Sequence, residues 1–346
     1  MCRIKASLKL AGVRGLHAFG MSRWSSRALG VKGAILTFHE IHDDLDSELW
    51  TGCQTLFFER SLRWLRNNGW DIVAMDDALT RLCDHEQKHR FAIITFDDGY
   101  RDNITRALPV LRNEQIPFTM YIPTGAITRE LYAWWLGLRE LFRCNDKVDL
   151  TCVGRSFSCS DLSSKRRGLC IATRWVHANF KRVLDLRHTF SKYGISLASL
   201  CDRYFIDETE LKLLANDSLA TIGAHTVSHP ALATLDRRDV YRELTDNRDY
   251  LQDRLNREIR HFAYPYGSPA ACGKREATIA LEAGFQTAVT TSHRPLFTQD
   301  LLNLHSLPRI SVHPQSTIGH LDTELGGLTR ASIRNLFSAR NAERSG

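Results

Sequence analysis

Phe91-Ala92-Ile93-Ile94-Thr95-Phe96-Asp97-Asp98-Gly99-Tyr100 is the stretch on which the reading of this chain turns. A short apolar run of this kind, rich in β-branched and aromatic residues, reads as a buried strand. It runs directly into two adjacent carboxylates and a glycine, which is a costly place for charge. Two unpaired carboxylates beside a hydrophobic core repel, and one is driven to protonate unless a cation or a positioned proton donor compensates. A metal ion is the obvious compensator. The ordinary alternative for Asp-Asp-Gly after a strand is a turn or a helix N-cap.

Further along, Gly223-Ala224-His225-Thr226-Val227-Ser228-His229-Pro230 offers two imidazoles four positions apart, a spacing at which two side chains reach one point in a helical or turn-like segment. The apolar run Leu219–Ala224 precedes them, and Pro230 biases His229 away from a continuing helix, so the segment reads as a strand-to-loop junction. One Asp and two His form a three-ligand set that leaves positions open for water and substrate, the pattern of a catalytic site. The other Asp is then free to act as a base.

Outward from these motifs, short apolar runs alternate with helical patterns. Strands are expected at 33–38, 71–74, 117–122, 219–224, 262–264 and 285–289 in addition to the carboxylate strand. Phe58, Leu62 and Leu65 recur at helical spacing until Gly69 supplies a stop, and Asp76 is placed to cap a helix through Leu82. Residues 101–113 read as helical, Val240, Leu244, Leu251 and Leu255 mark one face of a long helix opened by Asp236, and another helix falls near 273–283. Strand-helix repetition with seven or eight strands points to an α/β fold, a parallel barrel rather than a small open sheet. His39, Asp97, Asp98, His225 and the turn at Tyr266 all follow directly after expected strands, so a barrel gathers them at its C-terminal rim. The rhythm breaks over 139–217, read as an insertion with helical stretches at 165–188 and 207–215 that could cap the rim. Trp134 and Trp135 just before it suit either stacking on sugar faces or plain packing. The expected organisation is a basic segment over 1–30, a barrel over 31–312 that contains the insertion, and a tail over 313–346.

The bulk numbers fit a globular protein: 43% hydrophobic and 25% charged residues in 346. A net charge of +7 would suit anionic partners, yet Lys and Arg read as scattered, without a basic stripe or a nucleic-acid motif, so no nucleic-acid partner is expected. Nine cysteines without Cys-x-x-Cys pairs read as reduced, mostly buried thiols, which favours a cytoplasmic location. The first 39 residues hold seven Lys or Arg and no Asp or Glu, with no apolar run of secretory or membrane-spanning length. Residues 1–30 suit either a peripheral contact with anionic lipid or a basic helix packed on the domain.

With the carboxylate pair, the histidine pair and Tyr264-Pro265-Tyr266-Gly267 in this order, the sequence resembles the polysaccharide deacetylases of carbohydrate esterase family four, including the nodulation-type chitooligosaccharide deacetylases. The resemblance covers roughly 31–312 without much of the insertion and implies an irregular (β/α)7-type barrel. It implies that Asp98, His225 and His229 bind a divalent metal, zinc first, although Asp and His ligands accept Co, Ni or Fe alike. It further implies that Asp97 is the general base in hydrolysis of N-acetyl groups from N-acetylglucosamine-containing glycans, with a backbone N–H near Tyr266 facing the oxyanion. A subgroup resembling exopolysaccharide deacetylases carries the acid histidine on an early strand, and Leu36-Thr37-Phe38-His39 is similar to that motif. His39 is therefore the first choice for the acid and His305 the second, with a hydrogen-bonded strand-end histidine as the ordinary reading of His39. Where the family often has an arginine two residues before the motif proline, this chain has Ala263, and Arg309 is the candidate to supply that charge. The competing readings are a non-catalytic glycan-binding barrel and another amide or ester metallohydrolase.

Overall fold

A computed structural model describes residues 29–44, 49–84 and 89–327, together with Ser26 and Glu86. The basic segment over 1–30 lies almost wholly outside the described residues. Eight parallel strands form one sheet: β1 Gly33–Phe38, β2 Trp70–Ile72, β3 Arg90–Phe96, β4 Phe118–Ile122, β5 Ala220–Ala224, β6 His261–Ala263, β7 Thr287–Val289 and β8 Ile310–Ser311. Their order is β7-β6-β5-β4-β3-β1-β8, with β2 paired to the first residues of β3 and β4 paired to its last ones. A bridge between Val289 and Leu307, just ahead of β8, joins the two ends of this path and curls the sheet into the irregular barrel that the strand count predicts.

Strand parity sorts the side chains. On β3, Phe91 and Ile93 fall in one cluster with Ile35, Tyr121, Ala263, Val289 and Leu307, which fills the barrel. Ala92, Ile94 and Phe96 fall in the other, with Phe118, Met120 and Ile122, against the surrounding helices. Both faces of β3 are thus apolar, as an internal parallel strand requires. The inward series continues through Thr95 to Asp97, so the pleat aims Asp97 into the mouth of the barrel.

The helices over Thr55–Asn67, Arg237–Leu255 and Lys274–Glu282 fall where the periodicity predicts. Asp236 opens the second of these, its side chain accepting from the Asp239 N–H. Asp76 does not cap. It lies in a short 3-10 turn, and its Oδ1 pairs instead with His261 Nε2 at 2.8 Å and Arg260 Nη2 at 2.8 Å, because ring and guanidinium donors reach it before the following helix does. The stretch over 101–113 is a π-turn at Asn103–Ala107 followed by a helix at Leu108–Asn113, not one continuous helix.

The break in rhythm begins with the helix Trp134–Cys144, ahead of the expected start at 139. The expected helix over 165–188 is three pieces, Leu162–His177, Phe180–Asp185 and Leu186–Lys192, and the hairpin Lys147–Leu150/Arg155–Ser158 was not legible in the sequence. These elements share a core of their own, in which Leu138, Phe142, Val148, Val176 and Phe190 are buried together. In the C-terminal tail the helix Ile318–Leu325 buries Leu321 and Leu325. Of the eight described cysteines, all free thiols, four are buried; Cys83, Cys144 and Cys170 are exposed on helices, which corrects the expectation of mostly buried thiols. No helix among the described residues is long and apolar enough to cross a membrane.

Candidate active site

The site assembles where β1, β3, β5 and β6 end, and Arg309 reaches it from just ahead of β8. After β3 the chain turns sharply through two successive left-handed residues, Asp98 (φ 70°) and Gly99 (φ 72°). Glycine takes this conformation freely; aspartate does so at a cost of about 1–2 kcal/mol. Thr226, His229 and Tyr266 are also left-handed, so among the described residues four of the nine non-glycine positions with positive φ lie in the three motifs. Such strain persists only where the surroundings over-determine the backbone, and it clusters at functional sites.

Asp98, His225 and His229, all buried, each bring one ligand atom within 4.8 Å of the others. Asp98 Oδ1 lies 3.4 Å from His225 Nε2 and 3.2 Å from His229 Nε2, yet has no hydrogen-bond partner, and neither does the buried His229 Nδ1. His225 Nδ1 shares a 2.7 Å hydrogen bond with the Ala263 carbonyl; the carbonyl only accepts, so the ring donates from Nδ1 and keeps its Nε2 lone pair for the pocket. Burial opposes ionisation of Asp98, but the two imidazoles outweigh it and hold its pKa well below the ordinary range. Burial also pushes His229 down, toward the neutral form that can act as a ligand. An ionised oxygen without a hydrogen bond, facing two imidazole nitrogens, is a donor set that fits a divalent cation of the zinc type.

Asp97 sits beside this group and is buried. Arg309, fully buried, grips it from both nitrogens: Nη1 donates to Oδ1 at 2.7 Å and Nη2 to Oδ2 at 2.6 Å. Arg309 Nη1 also reaches Thr95 Oγ1 at 3.3 Å and its Nε the Thr290 carbonyl at 3.2 Å. Burial would raise the Asp97 pKa; the Arg309 charge and its hydrogen bonds outweigh it and leave the carboxyl below its ordinary value. The charge absent at Ala263 is thus delivered from the residue just ahead of β8. His39 stands opposite, Nε2 4.0 Å from Asp97 Oδ2, with its side chain 38% exposed. Asn103 Nδ2 donates to the His39 carbonyl at 2.7 Å. His305 is not brought here. Its ring bonds the carbonyl of Phe285, ahead of β7, at the opposite end of the barrel.

Tyr266 lies over His229, ring centroids 4.8 Å apart, and accepts a 2.8 Å hydrogen bond from Trp134 Nε1. Its backbone N–H donates to no described residue.

Several supports escaped the sequence reading. Glu243 accepts from the N–H groups of Val227 and Ser228 and from Ser228 Oγ. Asn247, one turn further along that helix, accepts from the His225 N–H and donates to the carbonyls of Ile122 and Thr226. Together they fix the histidine loop. The available signal was an asparagine inside the apolar series Val240, Leu244, Leu251, where only a fully bonded polar residue is tolerated. A second support is the buried pair Glu40–Arg139 at 2.5 Å, with the Arg139 guanidinium over the rings of Trp50 and Tyr204. It ties the residue after His39 to the inserted helix.

Residues 84–158 and 161–288, more than half of the chain, match the family model described as polysaccharide deacetylase. The chain belongs to the polysaccharide deacetylase family. Over 127 residues it is 26% identical to the poly-β-1,6-N-acetyl-D-glucosamine N-deacetylase of Escherichia coli K12, a stretch that covers 31% of this chain and 18% of that protein. The match therefore spans less than a fifth of that relative's length. Among solved structures, the Streptococcus pyogenes deacetylase PplD in complex with acetate superposes with a TM-score of 0.58 at 18% identity, covering 86% of this chain and 99% of that one. IcaB from Ammonifex degensii does so at 0.54 and 17%, covering 86% and 98%. At these identities the likeness is one of fold.

Proposed function

We propose that this member of the family is a metal-dependent hydrolase that removes N-acetyl groups from N-acetylglucosamine-containing glycans. The observation that carries the reading is the adjacency of two differently built acids: Asp98 facing two imidazoles, Asp97 facing an arginine. The named substrate of the Escherichia coli relative, poly-β-1,6-N-acetyl-D-glucosamine, supports this glycan class over chitooligosaccharides as the first to assay.

Asp98, His225 and His229 would hold the ion, which when bound supplies Lewis acidity toward an acetamide carbonyl and acidifies a water. Asp97 stays ionised because Arg309 offsets its burial, so it can accept the proton of the attacking water. Arg309 also locks the carboxylate plane, so the base does not rotate away as the proton arrives. The unengaged Tyr266 N–H is available to the oxygen that becomes negative on attack. His39, held through its carbonyl by Asn103 and accessible from solvent, is suited to give a proton to the departing amine.

The test is acetate release from poly-β-1,6-N-acetylglucosamine and chitin oligomers by the metal-supplemented full chain. Release from either, abolished by Asp97→Asn and reduced about 100-fold or more by His39→Ala, is the expected result. Release that survives Asp97→Asn would overturn the reading.

A further inference from the structure

Lys and Arg look scattered along the sequence, but residues 161–203 contain nine of them against three Asp, a net +6 out of the chain's +7. This corrects the absence of a basic concentration expected from the sequence. The segment is also the part of the insertion that reaches the site. His177 ends the helix Leu162–His177, with its ring 5.9 Å from Tyr266, and Phe180 lies over Tyr266 at 4.5 Å with a 36° tilt. Tyr266 in turn lies 4.8 Å from His229, and Trp134 bonds its hydroxyl. His177 is exposed and Phe180 and Tyr266 are half-buried, so this aromatic ledge faces solvent directly beside the candidate metal group.

Cations neighbour the ledge in sequence on both sides. Arg174 precedes His177 by three positions, less than one helical turn, and Lys181 follows Phe180. Both are exposed, and neither meets a carboxylate among the described residues. Arg167 lies two turns before Arg174 on the same side of the helix and is likewise exposed, though its charge acts on the Asp161 carboxylate at the start of that helix. A purely structural basic surface would be expected to pair with nearby acids, as Arg129 does with Asp202 and Lys212 with Glu208. A stacking surface whose sequence neighbours are exposed cations without a carboxylate partner suits a sugar ring that bears an acid.

We infer that the insertion forms a subsite beside the site of deacetylation for a sugar carrying an anionic substituent, a carboxylate or a phosphate. The ring stacks on Phe180 and His177 and the acid meets Arg174 and Lys181. This deepens the N-deacetylase reading and rests on it for the position of the acetylated neighbour. The acid itself undergoes no reaction.

Binding is measured by calorimetry on the full chain carrying Asp97→Asn, which prevents turnover. Three tetrasaccharide probes are used: neutral chitotetraose, a hyaluronan tetrasaccharide bearing carboxylates, and chitotetraose with a reducing-end phosphate. At least one acidic probe binds about tenfold tighter than the neutral one at 50 mM salt, and the preference shrinks at 500 mM. Which acidic probe is preferred identifies the substituent. Arg174→Gln/Lys181→Gln abolishes the preference and leaves chitotetraose affinity within about twofold, because the neutral probe engages no charge. Phe180→Ala weakens all probes alike. Equal affinity for neutral and acidic probes, or a preference that survives the double variant, overturns the inference. Failure to release acetate from any glycan counts against the N-deacetylase reading instead, since the affinities are read without turnover.

Discussion

Replacing Arg309 by methionine tests the central electrostatic arrangement. The guanidinium is fully buried and makes two charge-assisted hydrogen bonds to Asp97, at 2.7 and 2.6 Å. At a charge separation of about 4 Å and an effective dielectric of about 20, the pair attracts by roughly 4 kcal/mol. Removing one partner strands a buried carboxylate, and such losses run to about 3–5 kcal/mol. Against a total stability of about 5–15 kcal/mol, Arg309→Met is a severe but survivable change. The carboxylate has an escape: without Arg309 burial dominates, its pKa rises, and it takes up a proton. That relieves part of the cost and removes the base, so activity falls further than stability does. The assay is a double-mutant cycle by urea unfolding with Asp97→Asn, Arg309→Met and both together. A coupling of about 2–3 kcal/mol is expected, with the double variant more stable than Arg309→Met alone. Additivity within about 0.5 kcal/mol would refute the reasoning, since independent groups cannot be a base and its counter-ion.

Three further outcomes follow from other contacts. Equilibrium dialysis with Zn, Co or Ni should show one ion per chain, with Asp98→Ala lowering affinity by about 100-fold or more; unchanged binding in that variant would place the ion elsewhere. Arg139→Met alone should destabilise the fold by about 3–5 kcal/mol and Arg139→Met combined with Glu40→Gln by distinctly less, measured by unfolding, because the second change removes the stranded charge. The hydrogen bond from His261, aided by its charge and that of Arg260, holds Asp76 below the ordinary 3.8 despite partial burial. A depressed folded-state value means that this stabilisation is fully present above 3.8 and is lost as pH falls through the folded value. Asp76→Asn should therefore cost about 1–2 kcal/mol at pH 7, with the gap from wild type closing in acid; a gap that is constant with pH would rule out this contribution.

Period and punctuation alone determined the alternation of strands and helices, the strand that ends in Asp97-Asp98-Gly99, and the loop that carries His225 and His229. These follow from local rules, since a buried parallel strand must be apolar on both faces and can change character only at its end. Parity placed Asp97 on the same face as Ile93 and Thr95, but with both faces apolar only the structure showed that this face is the inner one. Tertiary structure decided everything that depends on distance between remote segments. Arg309 meets Asp97 only because β8 pairs with β1, which in turn pairs with β3, so a residue more than 200 positions away is set beside the carboxylate. Asp76 forgoes a cap for His261 because β2 ends beside that ring, and Asn247 becomes a brace because its helix packs behind the histidine loop. The charge of the insertion was present in the composition, but its nearness to Tyr266 was not. Hydrophobic pattern and turn chemistry act over a few residues, whereas a site is a set of contacts between segments that only chain closure makes neighbours.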